Sequence, residues 1–153
     1  MSTPEERIAA LGLELPEVIA PLANYVPAVR SGGYVYTSGQ LPLVGGELVV
    51  KGKVGANVDP EQANEAARVC ALNALAAVRS VTGDLSTVTR VVKVVGYVAS
   101  DTDFTGQPGV VNGASDLLGE VFGDAGVHAR SAVGVAALPL DAPVEIEIIV
   151  EVS

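Results

Sequence analysis

The stretch RSAVGVAALPLDAPVEIEIIVEV, residues 130–152, contains two apolar segments separated by Pro–Leu–Asp–Ala–Pro. Its second half alternates between apolar and acidic residues, which is the period of a β-strand with one buried face. Val and Ile fall on one side of this strand, and glutamates fall on the other: Glu145, Glu147 and Glu151. The stretch therefore predicts two strands of a sheet around a proline-bounded turn.

The clearest helix of the chain is predicted within residues 58–83. Asp59 is placed to cap its first turn, and Gln62, three residues later, completes a capping box. Gly83 is a typical stop signal at the other end. A second long helix is predicted within residues 106–126.

A short N-terminal helix is predicted from Thr3 to Gly12, and Pro16, Pro21 and Pro27 then argue against further regular helix. The remaining strands are expected within residues 26–29, 34–40, 44–55 and 87–100. This order of elements predicts an α+β domain with a mixed sheet and both long helices packed on one face. The opposite face then lacks a cover within the chain, which favours self-association.

The composition argues against nucleic acid as a partner. The net charge is −9 and no cluster of Lys or Arg offers a local exception, so a polyanion would be repelled. Aromatic residues make up only 4% of the chain, which leaves few platforms on which bases could stack. Only 18% of the residues are charged, a low value for a small monomer, and this again favours an oligomer.

The sequence predicts a soluble, cytoplasmic protein. No apolar run reaches the roughly 18 residues that a membrane span needs, and the first residues, MSTPEERIAALG, lack the pattern of a signal peptide. The single cysteine, Cys70, excludes an intramolecular disulfide and a cysteine-based metal site, and it fits a reducing compartment.

Arg130 is the first candidate for a functional residue, because a guanidinium opens a segment that otherwise has the composition of core. It is either a charged residue at a strand end that faces water or a residue that binds a carboxylate through two N–H groups. Its small neighbours leave room for a ligand. The only histidine, His128, lies two residues earlier. No ligand-type or catalytic partner is near it in sequence, so a loop histidine that is either hydrogen-bonded within the protein or exposed is favoured over a catalytic base.

Three further positions carry open alternatives. Asn112 falls inside a predicted helix although asparagine is a mediocre helix former, so it faces either solvent or a ligand. Ser38 and Gly39 follow a strand and form either an ordinary turn or a site where backbone N–H groups bind an oxygen. Glu145 belongs either to a solvated acidic face or to a groove where its carboxylate orders a water.

Four stretches carry a resemblance to a known family: YVYTSGQLP (34–42), VVNGASDLL (110–118), ARSAVGVAALP (129–139) and VEIEIIVEV (144–152). Together they resemble the RidA/YjgF family of reactive-intermediate deaminases, also labelled L-PSP endoribonuclease-like. The resemblance runs from Tyr25 to Glu151. It implies a single chorismate-mutase-like domain over residues 1–153, with residues 1–24 as an N-terminal helix and proline-rich arm.

The resemblance implies a homotrimer with its sheets packed into a central barrel and its pockets in the clefts between subunits. The implied activity is hydrolysis of imine and enamine intermediates to a 2-oxo acid and ammonia, without a metal or another cofactor. Arg130 would bind the substrate carboxylate and Glu145 would hold the attacking water. The implied substrate-binding residues are Tyr25, Ser38, Gly39, Asn112 and Arg130.

Two features separate this chain from the family pattern that it resembles. The usual GPYSQ around the tyrosine is NYVPA at residues 24–28, and Ala132 stands where a cysteine is common, which rules out thiol chemistry there. Two other functions are weighed: a non-catalytic module that binds small carboxylates, and an endoribonuclease, against which the negative charge argues.

The relative position of Arg130 and Glu145 adds one expectation. If residues 130–137 and 144–152 pair as a simple hairpin, Arg130 lies opposite residues near Glu151, far along the strand from Glu145. The two residues can then share a pocket only if they come from different subunits.

Overall fold

The fold is an α+β arrangement of one five-stranded sheet and three helices, seen in a computed structural model that describes residues 2–18 and 23–153. Residues 19–22 of the predicted proline-rich arm lie outside the described residues. The helices are α1 (Pro4–Ala10), α2 (Pro60–Thr82) and α3 (Gln107–Phe122). The strands are β1 (Ala28–Ser31), β2 (Tyr34–Thr37), β3 (Leu43–Val44), β4 (Glu47–Leu48), β5 (Val88–Ala99), β6 (Ala129–Val135) and β7 (Val144–Val152).

The helices begin where the sequence predicts them. The Asp59 side chain accepts a hydrogen bond from the Gln62 backbone N–H at 2.8 Å, and the Gln62 side-chain oxygen accepts one from the Asp59 backbone N–H at 3.1 Å. Thr3 and Glu6 form the same reciprocal capping box at the start of α1. Gly83 ends α2 with φ of +88°, a conformation that favours glycine.

The sheet is mixed, with the strand order β1-β2-β7-β5-β6. β5 and β6 run parallel, and every other neighbouring pair in this sheet is antiparallel. β3 and β4 form a separate two-residue hairpin across Gly45 and Gly46.

The simple hairpin between β6 and β7 is wrong, because β5 lies between these two strands. α3 joins β5 to β6, and two parallel strands need such a crossover rather than a tight turn. The Pro139–Asp141 turn then carries the chain past β5 to the far side, where β7 pairs with β5 and β2.

The core lies between the sheet and the two long helices. Alternate residues of β7 are buried toward it: Val144, Ile146, Ile148, Val150 and Val152. α2 contributes alanines and α3 packs close, since a Cβ on Gly113 would come within 2.0 Å of the Asn64 carbonyl oxygen of α2. A Cβ on Gly96 of β5 would likewise meet Val111 of α3 at 2.4 Å. These close approaches fix α3 against the β5 and β6 side of the sheet.

The face of the sheet opposite the helices is left open by the residues that the structure describes. Its apolar side chains include Val29, Tyr34, Tyr36 and Val133, each between 40% and 52% exposed. The prediction of a mixed sheet with helices on one face is therefore confirmed, and an apolar surface is present on the other face. Within the described ranges no helix is both long and apolar enough to cross a membrane.

Candidate functional site

Arg130 lies at the start of the edge strand β6 and points to the helix side of the sheet. It is in register with Val94 of β5, which in turn pairs with Ile148 of β7. Both partners are buried under the helices, and residues in register across a sheet project to the same face. The guanidinium therefore lies against α3 at the margin of the sheet.

Three groups of α3 hold the Arg130 guanidinium. Nη1 donates to Asn112 Oδ1 at 2.7 Å and to Ser115 Oγ at 3.2 Å, and Nη2 donates to the Pro108 carbonyl at 3.3 Å. The sequence left open why an asparagine stands in this helix. The structure gives the reason, because the Asn112 amide oxygen binds Arg130.

The contacts of Arg130 leave one edge of its guanidinium available. Of the five N–H donors of an arginine, three are engaged, so Nε–H and the second Nη2–H remain. Within the described part of the chain no acceptor is bonded to Nε. The Nε–H of an arginine and the Nη2–H beside it form a planar fork that matches the two oxygens of a carboxylate.

His128 belongs to the same group of side chains, and of the two alternatives left by the sequence it is the hydrogen-bonded one. Its Nε2 lies 2.9 Å from Ser115 Oγ, and its Nδ1 lies 2.6 Å from the Gly126 carbonyl oxygen. We call Arg130, Asn112, Ser115 and His128 the arginine cluster.

Sequence reasoning missed Ser115 and His128, yet both positions carry a signal. Ser115 follows Asn112 by three residues, which places the two on one face of a helix. His128 precedes Arg130 by two residues, which is the spacing of side chains on the same side of an extended segment.

Glu145 lies on the opposite, uncovered face of the sheet. It is three residues from the inward-facing Ile148, and successive side chains of a strand alternate between faces. Its carboxyl packs directly over Gly39, where an added Cβ would come within 2.1 Å of Glu145 Oε2. Gln40 and Ile146 exchange backbone hydrogen bonds of 2.7 and 3.0 Å, which hold the segment after β2 alongside β7. A methyl group at residue 39 would therefore force the Glu145 carboxyl to move.

Ser38 forms hydrogen bonds with the segment that precedes β1. Its hydroxyl donates to the Val26 carbonyl at 2.6 Å, and its backbone N–H donates to the Pro27 carbonyl at 2.8 Å. Tyr25, the next predicted site residue along this arm, is 55% exposed. The Ser38 hydroxyl thus anchors the backbone that carries Tyr25.

Burial and a neighbouring charge both raise the pKa of Glu145. Partial burial raises the pKa of its carboxyl above the ordinary value, and the neighbouring carboxylate of Glu147 raises it further. The Tyr97 hydroxyl donates a short hydrogen bond to Glu147, and this bond raises the pKa of Tyr97 to about 12. We call Glu145, Glu147, Tyr97 and Gly39 the glutamate cluster.

The two clusters are separate within one chain. Arg130 and Glu145 lie on opposite faces of the sheet, on strands that are two places apart in the order. Arg130 is in register with Ile148 of β7 across β5. Glu145 is three residues from Ile148, so it is also roughly 10 Å from Arg130 along the strand direction. Arg130 and Glu145 are therefore separated within one chain, as the sequence predicted. The cause is different, because β5 lies between their strands and the two strands do not form a hairpin.

A cleft of about 570 Å³ lies elsewhere, at the first turns of α2 and α3. Its lining includes the carboxylates of Asp59, Glu61 and Glu65, which would repel an anionic ligand. No predicted site residue lines it. Among the residues that the structure describes, no group of three His, Cys, Asp or Glu side chains is placed to hold a metal ion.

Comparison with known proteins identifies one family. Residues 5–152 match the family described as "YjgF/chorismate mutase-like, putative endoribonuclease". A Trypanosoma cruzi relative, "Protein TCP17", is 46% identical over 154 residues, which cover 96% of this chain and 95% of that protein.

Two solved structures extend the comparison. A protein of unknown function from Agrobacterium tumefaciens is 48% identical, with a TM-score of 0.92 over 98% of this chain and 92% of that one. TdcF of E. coli, whose structure contains bound serine, is 26% identical, with a TM-score of 0.66 over 90% of this chain and 94% of that one.

Proposed function

Because the chain belongs to the YjgF/chorismate-mutase-like family, we propose that it hydrolyses 2-imino acids and their enamine tautomers to 2-oxo acids and ammonia. The sites would lie between copies of the chain in a homotrimer. The observation that carries the proposal is the free Nε and Nη2 edge of Arg130, held toward the margin of the sheet by three acceptors of α3.

That edge suits the carboxylate which every 2-imino acid carries. A guanidinium stays charged at all physiological pH values and binds a carboxylate through two parallel N–H bonds. Serine, the ligand in the TdcF structure, is also a small carboxylate. In a protein with a net charge of −9, a fixed cation is needed to attract such a substrate.

The uncovered sheet face supports the homotrimer. Exposed Val and Tyr side chains on this face would be buried by other copies of the chain. Glu145 lies on that face, whereas Arg130 lies at the helix side of the sheet margin. Assembly through the uncovered face can bring Glu145 of one copy to Arg130 of another, which one chain by itself cannot do.

The reaction requires little from the protein beyond positioning. With the imine nitrogen protonated, a water held by Glu145 attacks C2; the new C–O bond forms, the π electrons of C=N move to nitrogen, and Glu145 takes the water proton. Glu145 returns that proton to the amine, accepts the hydroxyl proton as the C–N bond breaks, and passes it to the departing ammonia, which leaves as ammonium. The raised pKa of Glu145 brings the carboxyl closer to the range in which it can both accept and return a proton.

The test is hydrolysis of an imine formed in the assay by an amino-acid oxidase, followed as 2-oxo acid appearing above the uncatalysed rate. We expect wild type to accelerate the reaction, and we expect both Arg130→Ala and Glu145→Gln to lose the acceleration. Arg79→Ala on α2 is the matched control, since it removes one guanidinium far from both clusters and should keep the activity.

Other outcomes would replace the proposal with a different function. A background rate in all variants, together with calorimetric binding of a 2-oxo acid by wild type, would identify a carboxylate-binding module. Cleavage of RNA by a metal-free preparation would favour the ribonuclease of the family description.

A further inference from the structure

We propose that His128 is a positioning residue for the substrate carboxylate, and that it acts on Arg130 through the hydroxyl of Ser115. The inference deepens the proposed function, because it rests on Arg130 as the carboxylate anchor. It assigns a role to the only histidine of the chain, whose hydrogen bonds go to Ser115 and Gly126 and not to the guanidinium itself.

The hydrogen-bond directions begin at the Gly126 carbonyl. A carbonyl oxygen only accepts, so His128 Nδ1, 2.6 Å away, must carry a proton and donate it. In the neutral ring the other nitrogen, Nε2, is then an acceptor. The backbone thus selects the tautomer that turns a lone pair toward Ser115.

That lone pair fixes the hydroxyl of Ser115. Its single proton points to His128 Nε2 at 2.9 Å, which leaves the oxygen lone pairs for the N–H of Arg130 Nη1 at 3.2 Å. Without this acceptor, a serine inside a helix commonly turns its proton to the carbonyl four residues earlier. The histidine therefore keeps Ser115 in the rotamer that accepts from Arg130.

The chain of donors runs in one direction: from Arg130 to Ser115, from Ser115 to His128, and from His128 to Gly126. Each bond polarises the next, which strengthens the series. Both protons of Nη1 are occupied in this way, one by Ser115 and one by Asn112. A guanidinium with Nη1 fully engaged cannot turn that nitrogen to the substrate, so it presents the Nε and Nη2 edge.

The experiment compares His128→Leu with His128→Gln. Leucine removes the acceptor, whereas the glutamine carbonyl oxygen can replace Nε2 as acceptor for Ser115. We expect His128→Leu to raise KM for the imine roughly tenfold with kcat almost unchanged, because the carboxylate is bound alike in the ground state and the transition state. We expect His128→Gln to restore most of the loss.

A double-mutant cycle identifies the route. Ser115→Ala should raise KM to a similar extent, and adding His128→Leu to it should have little further effect, because both act through one hydroxyl. Ser80→Ala, which removes a helical serine hydroxyl from α2, is the matched control and should leave KM unchanged. Additive effects of His128→Leu and Ser115→Ala would overturn the inference.

A ligand-independent measurement separates this inference from the proposed function. Rotation about the Cζ–Nη bonds of Arg130, followed by ¹⁵N NMR of the free protein, should be slow in wild type and faster in His128→Leu. If wild type neither binds 2-oxo acids nor hydrolyses imines but this difference is present, the proposed function fails while the coupling of His128 to Arg130 stands. Unchanged rotation in His128→Leu would overturn the positioning role whatever the activity.

Discussion

Asn112 of α3 and Arg130 of β6 are joined by a 2.7 Å hydrogen bond from the guanidinium Nη1 to the amide oxygen. It is the shortest of the three bonds that hold this arginine. It links a helix that covers the sheet to the edge strand of that sheet, so the orientation of the guanidinium depends on how α3 packs. The amide is also neutral, which leaves the charge of Arg130 available for a ligand.

Asn112→Ala should weaken binding of a 2-oxo acid by roughly 10- to 100-fold, the usual range for a lost hydrogen bond to a charged group. Asn112→Asp should weaken it more, although it keeps an oxygen at the same place, because an ionised carboxylate would pair with Arg130 and compete with the ligand. Isothermal titration calorimetry of the three proteins checks this order. Equal affinity of wild type and Asn112→Asp would contradict it.

Gly39→Ala should reduce kcat by roughly 10- to 100-fold, as is typical when a catalytic group moves by about 1 Å. The added methyl would occupy the position of the Glu145 carboxyl, which must then move away. Steady-state kinetics together with thermal unfolding checks this, since the loss should appear in kcat while the protein stays folded.

Gly119→Ala is the matched control for that substitution. Gly119 lies inside α3, and nothing stands within 4 Å of an added Cβ. The change should keep kcat and raise the free energy of unfolding by about 0.5–1 kcal/mol, the helix preference for alanine over glycine. A wild-type kcat in Gly39→Ala would show that the Glu145 carboxyl can shift without consequence.

The pH dependence of stability should change in Glu145→Gln. Because burial and Glu147 raise the pKa of Glu145 in the folded state, the folded protein binds this proton more tightly than the unfolded chain does. The ionised carboxyl therefore destabilises the fold above its raised pKa, and this penalty disappears below the ordinary pKa of a glutamate.

We therefore expect Glu145→Gln to unfold at a higher temperature than wild type near neutral pH, with a difference that shrinks as the pH falls through the raised pKa toward the ordinary one. Glu65→Gln, which changes an exposed glutamate of α2 in the same way, is the matched control. Calorimetric unfolding curves across the acidic range test both variants. A difference that grows toward low pH would have the wrong sign for a raised pKa.

The sequence allowed prediction of those features that depend on near neighbours. The capping boxes at Thr3 and Asp59 span three residues, and the alternation of β7 is visible in the order of its residues. Both are set by local geometry, so both are present as expected.

The position of β5 between β6 and β7 could not be predicted from neighbouring residues in the sequence. Strand pairing joins residues far apart in the chain, and a turn after Val135 is compatible with either a hairpin or a passage across β5. The contact of Gly39 with Glu145 is equally non-local. His128 is intermediate: its two-residue spacing from Arg130 was visible, but its partners on α3 and at Gly126 became known only from the packing of α3 against β6.

Mixing two inactive variants should restore part of the activity if Arg130 and Glu145 of one site come from different copies. In a cyclic trimer each site would take its arginine from one subunit and its glutamate from the next. Any trimer that contains both Arg130→Ala and Glu145→Gln subunits then has one site, of its three, in which both Arg130 and Glu145 are intact.

Equal amounts unfolded together and refolded should therefore give about a quarter of the wild-type rate, because three quarters of random trimers are mixed and each has one working site in three. The same proteins refolded separately and then combined are the control, and they should stay inactive for as long as subunits do not exchange. No recovery after joint refolding, with mixed trimers demonstrated by mass spectrometry, would place both residues of each site in one chain. That result would contradict the opposite-face arrangement as the reason for assembly.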